Sequence, residues 1–395
     1  MGNPNALGVC VGSTEGVCAA CEAAGSERVG AVPPVGTSRS NGYKWLDRDA
    51  EEGMAGLEER SRRPLTSPQQ APDAMRARVL AVRAAHSAWG GRKIRRVLQD
   101  QGHAPPAAST ITEILRRAGK LDGPGAGEAR DWVRFEHPEP NDLWQMDFKG
   151  HFALEAGRCH PLTMLDDHSR YALEIGACGD ERAETVQDRL ERVFARYGLP
   201  RRILADNGSP WGTAGGGGRH TRLTVWLLDL GVGISHGRPY HPQTQGKDER
   251  FHRTLKGEVL DGVTFANLAQ AQAAFDAWRE VYNAKRPHQA LGLETPSRRY
   301  RMSCRPMPKT IAPPDYEPQA QVRTVHDGGW ISFKGRQINC SKAFVGRRLA
   351  LRATDQEGLF DLCYRRHVLA QVDLRQNIAK PVLDVPEHLS SLSPV

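Results

Sequence analysis

Between residues 143 and 238 the chain writes three strand-like segments and then alternates strand with helix. That order restricts its fold more than any other feature. LWQMDFKG (143–150), CHPLTML (159–165) and RYALEIGA (170–177) are short and apolar. Turns at Glu155-Ala156-Gly157 and Asp166-Asp167-His168-Ser169 separate them, made of residues that tolerate or cap a reversal. Residues 181–197 place Val186, Leu190, Val193, Phe194 and Tyr197 at helical spacing. RRILADNG (201–208) predicts a short buried strand, TRLTVWLLDLG (221–231) a second helix, and residues 233–238 a further strand. Three antiparallel strands followed by alternation predict a mixed α/β layer fold over 136–300.

Two acids occupy positions that such a fold turns to chemistry. Asp147 lies inside W-Q-M-D-F, where a charge is out of place, and Asp206 ends a strand and opens the turn D-N-G. Active groups of open α/β sheets gather at strand ends. Two-metal phosphodiester chemistry needs carboxylates from separate elements, holding hard cations about 4 Å apart. Plainer readings stand beside this one: Asp206 as a turn residue, Asp147 as an exposed strand position. Asp166 and Asp167 fall in the turn between two strands and are assigned to turn formation.

Further on, HPQTQGKDERFHRTLKGEVL (241–260) passes from a Pro-broken loop into a helix bearing two adjacent acids. Phase separates them at about 100° per residue. Phe251, Leu255 and Val259 define a core-facing stripe that Asp248 joins. Glu249 turns away and stacks with Arg253 and Lys256. An acid beside two cations fits a metal ligand next to a DNA phosphate. It also fits a surface ladder worth about 0.3–0.5 kcal/mol per pair.

W-Q-M-D-F, L-A-D-N-G-S-P-W-G and R-P-Y-H-P-Q-T-Q-G-K-D-E-R-F-H-R-T-L-K together resemble insertion-sequence transposases with a retroviral-integrase-like (DDE) catalytic core. The likeness runs over about residues 38–375. It implies a ribonuclease H-like core, with a helical helix-turn-helix region before it and a small SH3-like β-barrel after it. It also implies that Asp147, Asp206 and Glu249 are catalytic and bind Mg²⁺, with Mn²⁺ as a substitute. Arg253 and Lys256 match positions that contact DNA. The loop before Glu249 resembles the mobile active-site loop of retroviral integrases. The interval from 206 to 249 is longer than in the most compact members, and its Gly215–Gly218 run reads as a flexible surface connection. The implied activity is cleavage of the ends of a mobile element and their transfer into target DNA by a homo-multimer.

The flanks agree in charge. The net charge is +8, and over residues 73–120 ten Lys/Arg face three Asp/Glu. That excess favours a polyanion. Met75, Val79, Leu80 and Val82, then Ile94, Val97 and Leu98, then Ile111, Ile114 and Leu115 predict three short helices, the last opened by a Thr110-x-x-Glu113 capping box. Three helices with a basic surface suit a helix-turn-helix reader of double-stranded DNA. Its recognition helix is expected around 110–118, with Arg92, Lys93, Arg116 and Arg117, together with Lys247, on DNA. A ligand-free helical bundle is the alternative. After the Pro-rich stretch 305–318, six short strands over 321–375 suggest a small β-barrel.

Residues 1–36 carry no helical or strand period and read as a disordered or atypical start; LDGPGAGEA (121–129) reads as a linker. SRSNGYKWLDR (38–48) offers a short helix within a partial helix-turn-helix over 37–68. The helices that should precede it are not legible, which keeps a catalytically silent DNA-binding regulator, or a truncated remnant, as the rival. Cys18 and Cys21 form a lone C-x-x-C with no second pair, too little for a zinc or redox motif. No apolar run approaches a membrane span. Without a signal peptide the expectation is a reducing bacterial cytoplasm, at the nucleoid.

Overall fold

The computed structural model describes residues 39–58, 70–121, 136–206, 208–212, 220–236 and 246–375. The Cys18–Cys21 pair, the linker over 122–129, the Gly215–Gly218 run and the loop 237–245 lie outside the described residues. The chain divides into two units, Met1–Gln70 and Ala71–Val395. In the first, helix α1 (Arg39–Glu52) runs past the short helix expected at 38–48. A 3-10 turn, Gly53–Leu57, reverses the chain so that Trp45 and Leu57 bury each other. Gly53, at φ +63°, makes the reversal without the strain a side chain would add.

The second unit begins with three helices, α2 (Asp73–Ala85), α3 (Gly91–Asp100) and α4 (Ala108–Arg117). Val79, Ile94, Leu98, Ile111 and Leu115 meet in one core, as their spacing predicts. Trp89, in the α2–α3 turn, completes that core and stacks on His86 at 3.7 Å. The Thr110–Glu113 capping box does not form. α4 starts earlier, after Ala107, with no side-chain cap, and Glu113 instead pairs with Arg116 and Arg117.

The central sheet contains β1 (Leu143–Phe148), β3 (Arg158–Asp166), β4 (Ala172–Cys178), β5 (Arg202–Ala205) and β6 (Gly233–His236). A two-residue strand, β2 (Phe152–Ala153), makes a hairpin with β3 that the sequence did not suggest. The strand order is β4-β3-β1-β5-β6. β3 runs antiparallel to β1 and β4, while β1, β5 and β6 are parallel. Helix α5 (Ala183–Tyr197) and helix α6 (Arg222–Asp229) pack on one face. Helix α7 (Gly246–Leu255) and helix α8 (Leu268–Ala284) pack on the other. Three antiparallel strands extended by two parallel ones, with helices on both faces, constitute the ribonuclease H-like fold. A capping box does occur at α6, where Thr221 and Thr224 exchange backbone and side-chain hydrogen bonds of 2.8 and 3.3 Å. Val281 of α8 packs against the three-helix core, joining that region to the sheet.

All six C-terminal strands form: β7 (Gln321–Thr324), β8 (Trp330–Phe333), β9 (Arg336–Asn339), β10 (Arg348–Ala353), β11 (Leu359–Tyr364) and β12 (His367–Asp373). Among the described residues they hydrogen-bond as a four-stranded sheet, β12-β11-β10-β7, and a separate β8-β9 hairpin. Both share one core, which Val225 and Leu228 of α6 enter. Beneath that contact the buried Asp229 carboxylate accepts from Tyr364 Oη at 2.5 Å and Arg365 Nε at 2.9 Å, and lies 3.2 Å from Arg347. Among the described residues no helix is long and apolar enough to cross a membrane.

Candidate active site

Asp147 stands near the end of β1, and β5 runs parallel beside that strand, so Asp206 directly after β5 arrives at the same edge. The two carboxylates feel each other. Burial, then the Asp206 charge, raises the Asp147 carboxyl to about 7, against the pull of the Phe148 backbone N–H. Asp206 is fixed from its own turn: Oδ1 accepts from Gly208 N at 3.0 Å and from Trp211 Nε1. Trp211 is fully buried and stacks on Phe148 at 5.6 Å, tying the D-N-G turn to the strand that carries Asp147. His236 of β6 donates through Nδ1–H to the Asp206 carbonyl, 2.7 Å away.

Helix α7 divides as its phase predicts. Asp248, Phe251 and Leu255 are buried, and Glu249, Arg253 and Lys256 are exposed. Two side chains fasten it beside Asp147. His252 Nε2 lies 2.8 Å from Thr163 Oγ1, and that hydroxyl donates to the Asp147 carbonyl at 3.0 Å. Burial holds the imidazole down to about 4, so it is neutral. At the helix start Lys247 Nζ reaches the Asp167 carboxylate, buried under the sheet edge. Asp167 also accepts from Gln145 Nε2 at 2.7 Å and His137 N at 2.9 Å. Asp167, expected from the sequence to serve the turn, instead anchors the start of α7 through Lys247. Asp166 does serve the turn, accepting from Ser169 N at 2.8 Å and Asn141 N at 2.7 Å.

The sheet edge therefore unites Asp147 with Asp206, and also with Asp248. Asp248 is only 3% exposed, and its Oδ1 has no hydrogen-bond partner among the described residues. Burial, then Asp147 and Asp167, raises its carboxyl well above the usual range. Glu249 points from the outer face, and among the described residues no group of three or more His, Cys, Asp or Glu converges to hold a metal. The expected DNA-binding cations also divide. Arg92, Arg116, Arg117, Arg253 and Lys256 are exposed. Lys247 faces Asp167, and Lys93 is half-buried, lowered to about 8 by burial and then by Arg286.

Four family models match the chain. Two describe an integrase core domain, over residues 137–242 and 230–296. A homeodomain-like domain matches 41–115, and the C-terminal domain of IS481 family transposases matches 320–380. The chain is similar to the insertion element IS476 uncharacterized 39.2 kDa protein of Xanthomonas euvesicatoria, 26% identical over 62% of this chain and 69% of the relative. It is similar to the insertion element IS407 uncharacterized 31.7 kDa protein of Burkholderia multivorans, 28% identical over 40% of this chain and 54% of the relative. The catalytic core of BIV integrase overlaps 40% of this chain and 92% of its own at a TM-score of 0.31 and 25% identity. The fold assignment rests on strand order, not on that overlap.

Proposed function

We propose that this chain, which belongs to the insertion-sequence transposases with an integrase-type catalytic core, cleaves the ends of its mobile element and transfers them into target DNA. The observation that carries the reading is the Asp147–Asp206 pair. Adjacent parallel strands deliver the two acids to one edge, where burial and then the Asp206 charge lift Asp147 to about 7. Such a pair gains most from a shared hard cation, and oxygen donors suit Mg²⁺, with Mn²⁺ as a substitute. Asp147 and Asp206 would hold it together with Glu249, the third acid that the family resemblance implies. Bound there, the ion supplies Lewis acidity toward a phosphodiester oxygen.

The chain's own side chains do the rest. Trp211 and Gly208 keep the Asp206 carboxylate aimed at the β1 edge. His252 and the Lys247–Asp167 pair hold α7 against the same edge, setting where Glu249, Arg253 and Lys256 meet DNA. Arg253 and Lys256 would contact phosphates of the scissile strand. Arg92, Arg116 and Arg117 would contact the terminal repeats, with α4 as the reading helix. The reaction consists of two in-line displacements at phosphorus. Water cleaves at the element end and frees a 3′-hydroxyl, and that hydroxyl then attacks the target phosphodiester. No protein–DNA bond forms, and joining two ends calls for a multimer. Transfer of a labelled element end with Mg²⁺ or Mn²⁺ tests the proposal. Binding without end cleavage or transfer would favour the silent regulator.

A further inference from the structure

We propose that a cleft at the opposite end of β5 is a second, non-catalytic phosphate site that takes a backbone phosphodiester of duplex DNA. The cleft encloses about 320 Å³ and is lined by Arg201, Arg202, Gly233, Arg305, Arg366 and His367. Arg201, Arg202 and Gly233 come from the starts of β5 and β6, Arg305 from the segment after the core, Arg366 from the β11–β12 turn and His367 from the first position of β12. β5 is four residues long, so Arg202 in this cleft and Asp206 are separated by about 13 Å along the strand.

Four guanidiniums converge here, and among the described residues none that lines the cleft is acidic. What orients them is mostly neutral oxygen. Arg305 donates to the Pro200 carbonyl at 2.6 Å and the Gly231 carbonyl at 2.8 Å. Arg366 donates to the Gly231 carbonyl as well, and Arg202 to Ser235 Oγ at 3.1 Å. Gly231 is at φ +67°, and a Cβ there would press on both guanidiniums at 3.2 Å. Carbonyls fix the Arg305 and Arg366 forks without cancelling their charge. Arg201 pairs with Asp142 at 3.3 Å, and its side chain is 77% exposed at the rim.

The cations accordingly strain one another. Burial and then Arg366 lower Arg305, and burial lowers Arg202. His367 faces Arg366, Arg202, Arg305 and Arg365; burial first and these charges next hold it at about 4. It is therefore neutral, and its buried Nε2 has no partner among the described residues. An oxyanion in the cleft would accept from that nitrogen in its Nε2–H form and relieve the repulsion. Arg201 and Arg366 are exposed at the opening, which suits a phosphate belonging to a continuing backbone rather than an enclosed small anion.

The test follows His367 ring resonances of the full chain, assigned with His367→Gln, at constant ionic strength. Inorganic phosphate should shift them saturably and chloride should not. A short random-sequence duplex should shift them at lower concentration. Arg201→Gln with Arg366→Gln should lower the salt slope of duplex binding by about 1.8, and Arg201→Gln alone by about 0.9. The single variant keeps the test intact if the double variant folds poorly. No response to phosphate, or an equal response to chloride, overturns the site and leaves the arginines as staples between strands. A response to phosphate but none to duplex overturns DNA as the occupant in favour of a small phosphorylated solute. Asp147→Asn protein should give the same shifts, so this outcome is independent of strand transfer.

Discussion

The two ends of β5 make an instructive pair. At one end Asp206 meets Asp147, and at the other Arg202 joins three more arginines. Buried Asp229 nearby is a different kind of charge, because it collects Tyr364, Arg365 and Arg347 around one carboxylate. A folded chain has no reason of stability to crowd like charges. Burial first, and then the neighbouring like charge, raises Asp147 and lowers Arg305, while burial lowers Arg202; each shift records free energy held against folding. Asp229 is a joint, complete in itself. As proposed, a cation at one end of β5 and a phosphate at the other would each meet a cluster of the opposite charge.

The largest expected effect breaks the acidic end. Asp147→Asn or Asp206→Asn should lower strand transfer by about 10³-fold or more, roughly 4 kcal/mol of transition-state stabilisation, with duplex affinity retained. Glu249→Gln should lose activity to a similar extent at unchanged thermal midpoint. Asp248→Asn should keep activity and raise the midpoint, since it removes a buried carboxyl lacking a partner at Oδ1. If instead Asp248→Asn were dead and Glu249→Gln active, the third acid would be Asp248.

Asp229 supplies the contrast. Asp229→Ala should cost about 3–5 kcal/mol in denaturant unfolding, because Arg365 and Arg347 lose a buried partner. Whatever folded protein remains should retain transfer activity per molecule. A variant of full stability would mean that the C-terminal strands are held to α6 by Val225, Leu228 and the rest of the apolar contact alone.

Most of this architecture was legible because apolar spacing is a short-range signal. Val186, Leu190, Val193 and Phe194 repeat at helical period and lie in one core. The six C-terminal strands alternate between turns that Gly and Asp announce. Ala271, Phe275, Trp278 and Tyr282 carry the same helical signal, and α8 could have been found from it. The box at Thr110–Glu113 failed because a cap depends on where the preceding chain enters, and A-P-P-A starts α4 three residues earlier. Asp167 was illegible for a different reason. Its partners Lys247, Gln145 and His137 come from as far as 80 residues away, and no local pattern encodes such pairing. The face division of α7 followed from phase, whereas the approach of Asp248 to Asp147 needed the sheet.

A smaller effect sharpens the basic end. His367 has a folded value of about 4, below its ordinary 6.5. The unfolded chain therefore takes up the proton first, and stability present above about pH 6.5 is lost as pH falls toward 4. Up to about 3 kcal/mol is at stake if the shift is fully realised. Thermal midpoints between pH 7 and 4.5 should fall more steeply for the native chain than for His367→Gln. Bound phosphate should flatten the native curve, because an anion lets the imidazolium form beside Arg366, Arg202, Arg305 and Arg365. Equal slopes would remove His367 from the cleft's electrostatics.

The smallest effect separates two neighbours on α3. Arg92 is exposed, while Lys93 is half-buried, facing Arg286, Glu258 and Arg250. Both looked alike as basic residues of a DNA-binding helix. Only a cation that reaches a phosphate releases a counterion, so Arg92→Gln should reduce the salt slope of terminal-repeat binding by about 0.9. Lys93→Gln should leave that slope unchanged. Its effect should appear instead as a small change in midpoint, because the ammonium lies among two arginines and one glutamate where α3 meets the core. If Lys93→Gln lowered the slope as Arg92→Gln does, α3 would have to leave α8 when DNA binds, and the joint at Val281 would be one that opens.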